Sequence, residues 1–281
     1  MRKILLVLCL FVLGFGLFGC GNESEYDKQI KAINSVSRDE QFIVGLECAY
    51  EPFNWTEDKA TASNVAIYNV SGKFAEGYDI QMAKKIAEAL GKTLVVKAIE
   101  WDSLIPSLDS KHIDAVIAGM SATDDRRKSV SFTDAYYTSQ EVCIVLKNSK
   151  YASATSINDF NGATAIGQAG TLYADLVNQL VGANVSPSLK TVPDIVTAMM
   201  NGRCDVTVVE KPVALGLCAS NADLAIVEFS EGNGFTVSEE DVAVCIANRL
   251  SDVSLTTSIN DILKNITLAE REALMAEAVN R

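Results

Sequence analysis

The chain reads as an α/β protein of two lobes, each a mainly parallel sheet flanked by helices, with a ligand cleft between the lobes. Three observations predict this. Short β-branched runs alternate with helical patterns along most of the 281 residues, which is the order expected of layered α/β folds. Residues 107–118 share a grammar with residues 198–209: a helix end, a polar turn, an aspartate (Asp114, Asp205) and an apolar run. Beyond these two runs stand Gly119-Met120-Ser121 and Glu210, and open α/β sheets bind ligands past the carboxyl ends of their strands. Two such ends facing each other would form the cleft.

The elements follow in order. Residues 42–46 form an apolar, β-rich strand. Asp79 is expected to cap a helix, with Ile80, Ala83, Ile86, Ala87 and Leu90 on one face and Gly91 as its stop. Residues 94–99 read as a strand, Asp102 as the cap of a short helix, and residues 114–118 and 142–146 as further strands. A second series comprises a strand at 164–167, helices from Thr171 and Pro193, and a strand at 205–209. Residues 242–247 return as a strand and two helices close the chain. One lobe is therefore expected from 41–143 plus 243–281 and the other from 144–242, and residues 58–73 are expected to form a surface loop bordering the cleft.

Charge narrows the function. The formal net charge is -12, with 36 acidic and 24 basic residues, the opposite of the basic stripe a nucleic-acid binder needs. His112 is the one histidine, so a His-based metal site or a Ser-His-Asp triad would rest on it alone. Of seven cysteines, Cys48, Cys143, Cys204, Cys218 and Cys245 follow the N-terminal region, without C-x-x-C spacing and mostly in apolar runs. They read as small core residues rather than a disulfide framework.

At the N-terminus Arg2-Lys3 precede an apolar run that ends at Gly19-Cys20. The run is shorter than the about 20 residues of a spanning helix and reads as a signal peptide over 1–19. Leu17-Phe18-Gly19-Cys20 resembles a lipobox, which implies lipid on Cys20, and the polar stretch up to residue 40 is expected to be a flexible tether.

The remaining motifs are Tyr50-Glu51-Pro52-Phe53, Gly77-Tyr78-Asp79-Ile80, residues 101–108 from Trp101 to Leu108, residues 113–121, Arg126 to Tyr137, and Gly170-Thr171. In this order and spacing the chain, from about Phe42 onward, resembles the polar amino-acid family of bacterial extracellular solute-binding proteins, those related to histidine-, arginine- and glutamine-binding proteins. The resemblance implies the type II periplasmic-binding-protein fold, capture of a free amino acid by lobe closure, and delivery to an ABC permease. It also implies a lipid-anchored, extracytoplasmic monomer with no cofactor, metal or catalytic residue.

The resemblance assigns Arg126 to the ligand carboxylate, for which arginine's planar fork makes two parallel bonds. Thr171, at a helix start, is the second carboxylate partner. Glu210 would take the ammonium group, where the family more often has aspartate. Gly119, Met120 and Ser121 complete the polar ring, although many relatives carry serine in place of Gly119. Tyr50 and Trp101 would wall the ligand's side chain, with Phe53 and Trp55 as packing. Glu47 would meet the side-chain tip and favour a cationic or amide amino acid. Two other readings use the same fold: a dehydratase-type enzyme, which needs a general acid or base in the cleft, and a sensing or adhesive surface lipoprotein.

Overall fold

The computed structural model describes residues 23–280. The signal segment and Cys20 lie outside the described residues. The expected tether is instead largely helical. Helix α1 (Glu25–Asn34) starts at Ser24, whose hydroxyl accepts from the Asp27 amide. Its inner face is tied down: the Tyr26 hydroxyl donates to the Ile67 carbonyl at 3.2 Å, and the Gln29 side chain accepts from the Ala66 amide at 2.7 Å. Tyr26 and Phe74 meet edge to face. Scattered apolar residues in a polar segment find a partner surface only in the tertiary fold.

Strand β1 (Gln41–Leu46) enters the first lobe. Strands β2 (Ala49–Tyr50), β3 (Asn54–Glu57), β4 (Val65–Ala66) and β5 (Phe74–Glu76) make a small antiparallel sheet in the order β2-β3-β5-β4. The 58–73 segment therefore belongs to this sheet and packs under α1. None of its residues lines the cleft, contrary to expectation; Lys73 pairs with Asp58.

Next come α2 (Tyr78–Ala89), β6 (Thr93–Ala98), α3 (Leu104–Asp109), β7 (Ala115–Val116), α4 (Asp124–Arg127) and β8 (Val130–Thr138). Asp79 is not the cap of α2, nor Asp102 of α3; the caps are Gly77 and Ser103. Gly77 has φ +125°, and a Cβ there would lie 2.4 Å from the Phe53 carbonyl oxygen. This close approach lets the Tyr78 and Asp79 amides donate to the Pro52 and Phe53 carbonyls, so the two family motifs are one packed unit.

The second lobe follows with β9 (Glu141–Leu146), β10 (Thr164–Ala165), α5 (Leu172–Leu176), β11 (Asn184–Val185), α6 (Val192–Met200), β12 (Val206–Glu210), α7 (Lys211–Ser220) and β13 (Leu224–Val227). The chain then returns through β14 (Ala243–Arg249) to α8 (Val253–Lys264) and α9 (Leu268–Val279). The lobe sheets run β6-β1-β7-β14-β8 and β11-β10-β12-β9-β13. In each, the first three strands are parallel and the last two pairings antiparallel. The sheets are thus mixed rather than mainly parallel, because β14 and β9 each lie next to a lobe crossing.

The internal echo holds to the level of single hydrogen bonds. The Asp114 carboxylate accepts from the Ile43 amide at 2.9 Å, and the Asp205 carboxylate from the Thr164 amide at 2.8 Å. Their own amides donate back to the Ile43 and Thr164 carbonyls. Asp114 thereby clamps the start of β7 to β1, and Asp205 the start of β12 to β10. Lys111 and Gly202, both at positive φ, make the turn before each.

The outward crossing falls at Ser139-Gln140, slightly earlier than expected, because β9 already begins at Glu141. The two crossings touch: the Ser139 amide donates to the Val242 carbonyl at 3.1 Å. A paired double crossing of this kind lets two lobes hinge while keeping their register.

Candidate functional site

The cleft lies between the two sheets. Seven of the predicted residues, Glu47, Tyr50, Trp101, Gly119, Ser121, Arg126 and Thr171, enclose one cavity together with Gln168, Leu172 and Tyr173. The cavity measures about 10 Å³ and shares Glu47 and Trp101 with an open cleft of about 290 Å³. Both lobes contribute, since Gln168 to Tyr173 come from the second.

Hydrogen bonds tie the lobes across the cleft, among them the Lys190 ammonium to the Glu100 carboxylate at 3.0 Å. The Trp101 indole donates to the Gly170 carbonyl at 2.9 Å, the Arg126 guanidinium to the same carbonyl at 3.2 Å, and the Gln168 amide to the Glu47 carboxylate at 3.1 Å. Arg126 also donates to the Ser121 carbonyl at 2.9 Å, and its guanidinium lies 5.1 Å from the Trp101 ring centroid. Among the described residues its guanidinium therefore meets neutral carbonyls and an aromatic face. Its neighbour Arg127 is exposed and sits over Phe132 instead.

A polar relay sets the position of the first-lobe wall. Asp79 is fully buried; it accepts from the Asn54 amide at 2.8 Å and from the Tyr136 hydroxyl at 2.5 Å. Tyr136 in turn accepts from the Gly119 amide at 3.2 Å, and Asn54 accepts from the Cys48 amide at 2.7 Å. Burial pushes the Asp79 carboxyl up to about 7. Gly119 takes φ +61°, and an added Cβ would lie 3.0 Å from the Tyr50 ring. The ring of Tyr50, stacked on Phe53, occupies the space that a side chain at this position would fill.

Thr171 is the cap of α5: its hydroxyl accepts from the Tyr173 amide at 3.2 Å and donates to the Gln168 carbonyl at 2.8 Å. Met120 does not line the cavity. Its side chain is buried in the first-lobe core and its carbonyl accepts from the Cys245 amide, so its contribution is to hold the turn in place.

Glu210, at the end of β12, also lies outside the cavity lining. It is 2 % exposed, and neither carboxylate oxygen has a hydrogen-bond partner. Lys211, the cation beside it in sequence, turns to Glu228 at 2.8 Å. Burial raises the Glu210 carboxyl to about 8. Burial likewise raises Glu47 to about 7, against the opposing Gln168 hydrogen bond and with help from the negative charges of Asp102, Asp194 and Glu100. A desolvated carboxyl with a raised pKa is poised to accept a cation.

Sequence reasoning missed Gln168, Leu172, Tyr173 and the Asn54–Asp79–Tyr136 relay. Only the Gln-x-Gly-Thr context hinted at the first, and nothing local distinguishes the relay from ordinary core polarity. His112 is exposed and bonds Ser110 in the turn, away from the cleft.

Comparison with known proteins agrees with this architecture. Residues 42–276 match the model of bacterial extracellular solute-binding proteins, family 3. The arginine-binding extracellular protein ArtP of Bacillus subtilis is 29% identical over 276 residues, covering 95% of this chain and 93% of that protein. A probable histidine-binding protein of Campylobacter jejuni is 31% identical, covering 84% of this chain and 85% of that protein. Among solved structures, the substrate binding protein of an amino acid ABC transporter aligns with TM-score 0.70 and 28% identity, over 86% of this chain and 100% of the other. Arginine-bound ArgBP from T. maritima aligns with TM-score 0.68 and 28% identity, over 84% of this chain and 100% of the other. Two mixed sheets hinged at a double crossing, a cleft between them and a match across nearly all of the described chain lead to one conclusion: the chain belongs to the bacterial extracellular solute-binding proteins, family 3.

Proposed function

We propose that the chain is the substrate-binding component of an amino-acid ABC importer, taking a free cationic or amide L-amino acid between its lobes and delivering it to a membrane permease. The observation that carries this is the pairing of opposite, unanswered charges: Arg126 of the first lobe, bonded only to carbonyls, and the buried, unpartnered Glu210 of the second. An amino acid presents the complement of both. Its carboxylate would replace the Ser121 and Gly170 carbonyls on Arg126 and reach the Thr171 hydroxyl, and its ammonium would ionise Glu210. Its side chain would pass between Tyr50 and Trp101 toward Glu47.

The arginine- and histidine-binding relatives support a cationic tip, as does the acidic surround of Glu47. In this reading closure is itself part of binding, because the cavity is too small for an amino acid until the lobes part and re-close around it. The protein acts as a monomer, held outside the cytoplasmic membrane by lipid on Cys20. Among the described residues no helix is long and apolar enough to cross a membrane. The test is calorimetry of residues 21–281, stripped by unfolding and refolding, against the twenty amino acids. Arginine, lysine, histidine or glutamine is expected to bind most tightly; binding of none of the twenty would overturn the reading.

A further inference from the structure

A second buried acid stands beside Glu210. In the antiparallel pairing of β12 and β9, Glu210 lies directly opposite Glu141, and side chains of such partners share one face with Cβ atoms about 4.5–5.5 Å apart. Alternation identifies the face. Val142, Ile144 and Val209 belong to one core, while Cys143, Val145, Val206 and Val208 belong to the other with Tyr173 and Leu176 of α5. By the same parity Glu141 and Glu210 point to the α5 side, whose first residues line the cavity. Both acids occupy the cleft end of the sheet, one as the last residue of β12 and one as the first of β9.

Glu141 is 7 % exposed, and its Oε1 has no hydrogen-bond partner; Glu210 is 2 % exposed and has none on either oxygen. Like acids directly opposite one another in a sheet are destabilising, and buried acceptors without donors cost more still. Among the described residues no cation answers them: Lys211 is committed to Glu228 and Arg126 to the Ser121 and Gly170 carbonyls. The groups facing Glu141 are Glu210 from β12, Tyr173 from α5 and Asp241 from the segment before β14, of which two are acids and one a neutral phenol. The backbones are locked as well, because the Lys211 amide donates to the Gln140 carbonyl at 2.8 Å.

We propose that Glu141 is a second acid of the ammonium subsite, so that a primary α-ammonium group, with three N–H donors, is shared between Glu210 and Glu141. This rests on reading the cleft as an amino-acid site, and it assigns to a residue at the hinge a direct part in selecting a free, unblocked amine. It also couples binding to closure, since the chain crosses between lobes at the residues immediately before Glu141.

The test compares two ligands in wild-type protein and in Glu141→Gln at about pH 7, where an α-ammonium group is largely charged. One is L-arginine and the other is δ-guanidinovalerate, which is arginine without its α-amino group; binding is read from tryptophan fluorescence. The substitution should weaken L-arginine at least about tenfold, as for truncation of a buried charged contact, and leave δ-guanidinovalerate unchanged. An equal loss for both ligands would mean that Glu141 acts only on the hinge, and no loss for L-arginine would mean that it acts on neither; both overturn the proposal. Failure of the wild type to bind L-arginine would overturn the cationic-ligand reading, and the proposal with it.

Discussion

The two raised carboxyls in the cleft make the pH dependence of binding a quantitative test. Glu210 is held up to about 8 and Glu47 up to about 7, against an ordinary 4.5. An ammonium group binds the ionised form of Glu210, so affinity follows its ionised fraction, which rises from about 1 % near pH 6 to about half near pH 8. Any amino acid should therefore bind about fiftyfold more tightly at the upper pH. A cationic side chain also requires ionised Glu47, whose fraction rises from about a tenth to about nine-tenths over the same range, a further factor of about ten. The ratio of arginine to glutamine affinity should thus grow about tenfold between pH 6 and 8. Calorimetric titrations at several pH values measure both slopes. Glu210→Gln should remove the common slope, and Glu47→Gln only the difference between ligands.

The stability of the free protein should move the other way. A raised carboxyl pKa means that the native state holds protons the unfolded chain has lost. That contribution is complete below about 4.5 and disappears as pH rises through about 8. The ligand-free melting temperature should fall across this window, less so in Glu210→Gln. A flat arginine affinity from pH 6 to 8 would refute the argument, since it would mean that water reaches both carboxylates in the free protein.

Other outcomes follow from single contacts. Arg126→Lys keeps the charge but loses the planar fork and its stacking on Trp101, and should cost about 2–5 kcal/mol of binding while leaving the melting temperature of the free protein nearly unchanged; wild-type affinity by calorimetry would sink the assignment. Gly119→Ser should destabilise this chain by about 1–3 kcal/mol in urea titration, because its φ is positive and the Tyr50 ring stands where the Cβ would go; an unchanged midpoint would show that Tyr50 yields freely. Cys20→Ala should move the protein from the detergent phase to the aqueous phase in Triton partitioning, and identical partitioning of both forms would refute lipid anchoring.

Periodicity and turn residues carried the α/β class and most strand positions, because each is a local property, while the seven residues that line the cavity came from the family resemblance. Apolar alternation marks a buried strand wherever it lies in the chain, and the Asp114 and Asp205 turns look alike in sequence because each closes the same backbone clamp. Misreadings arose where a partner lay far away. The helix from Glu25 to Asn34 is polar enough to read as a tether, and is ordered by contacts to Ala66, Ile67 and Phe74. Asp79 resembles a helix cap, yet Tyr136 and Asn54 make it the buried centre of a relay. Met120 sits between two cavity residues but packs into the core, because the chain turns at Gly119, whose φ is +61°.

By itself, then, the sequence determined the fold class, the acidic character that sets nucleic acid aside, and the resemblance that points to Arg126 and Glu210. The tertiary structure alone decided which charges go unanswered. Whether Glu210 is a surface partner of Lys211 or a desolvated acid depends on what covers it, and whether Glu47 meets Lys73 or Gln168 depends on which lobe closes over it. Burial and pairing are properties of surfaces brought together by the fold, and desolvation, not residue type, is what turns a carboxylate into a site that needs a cation.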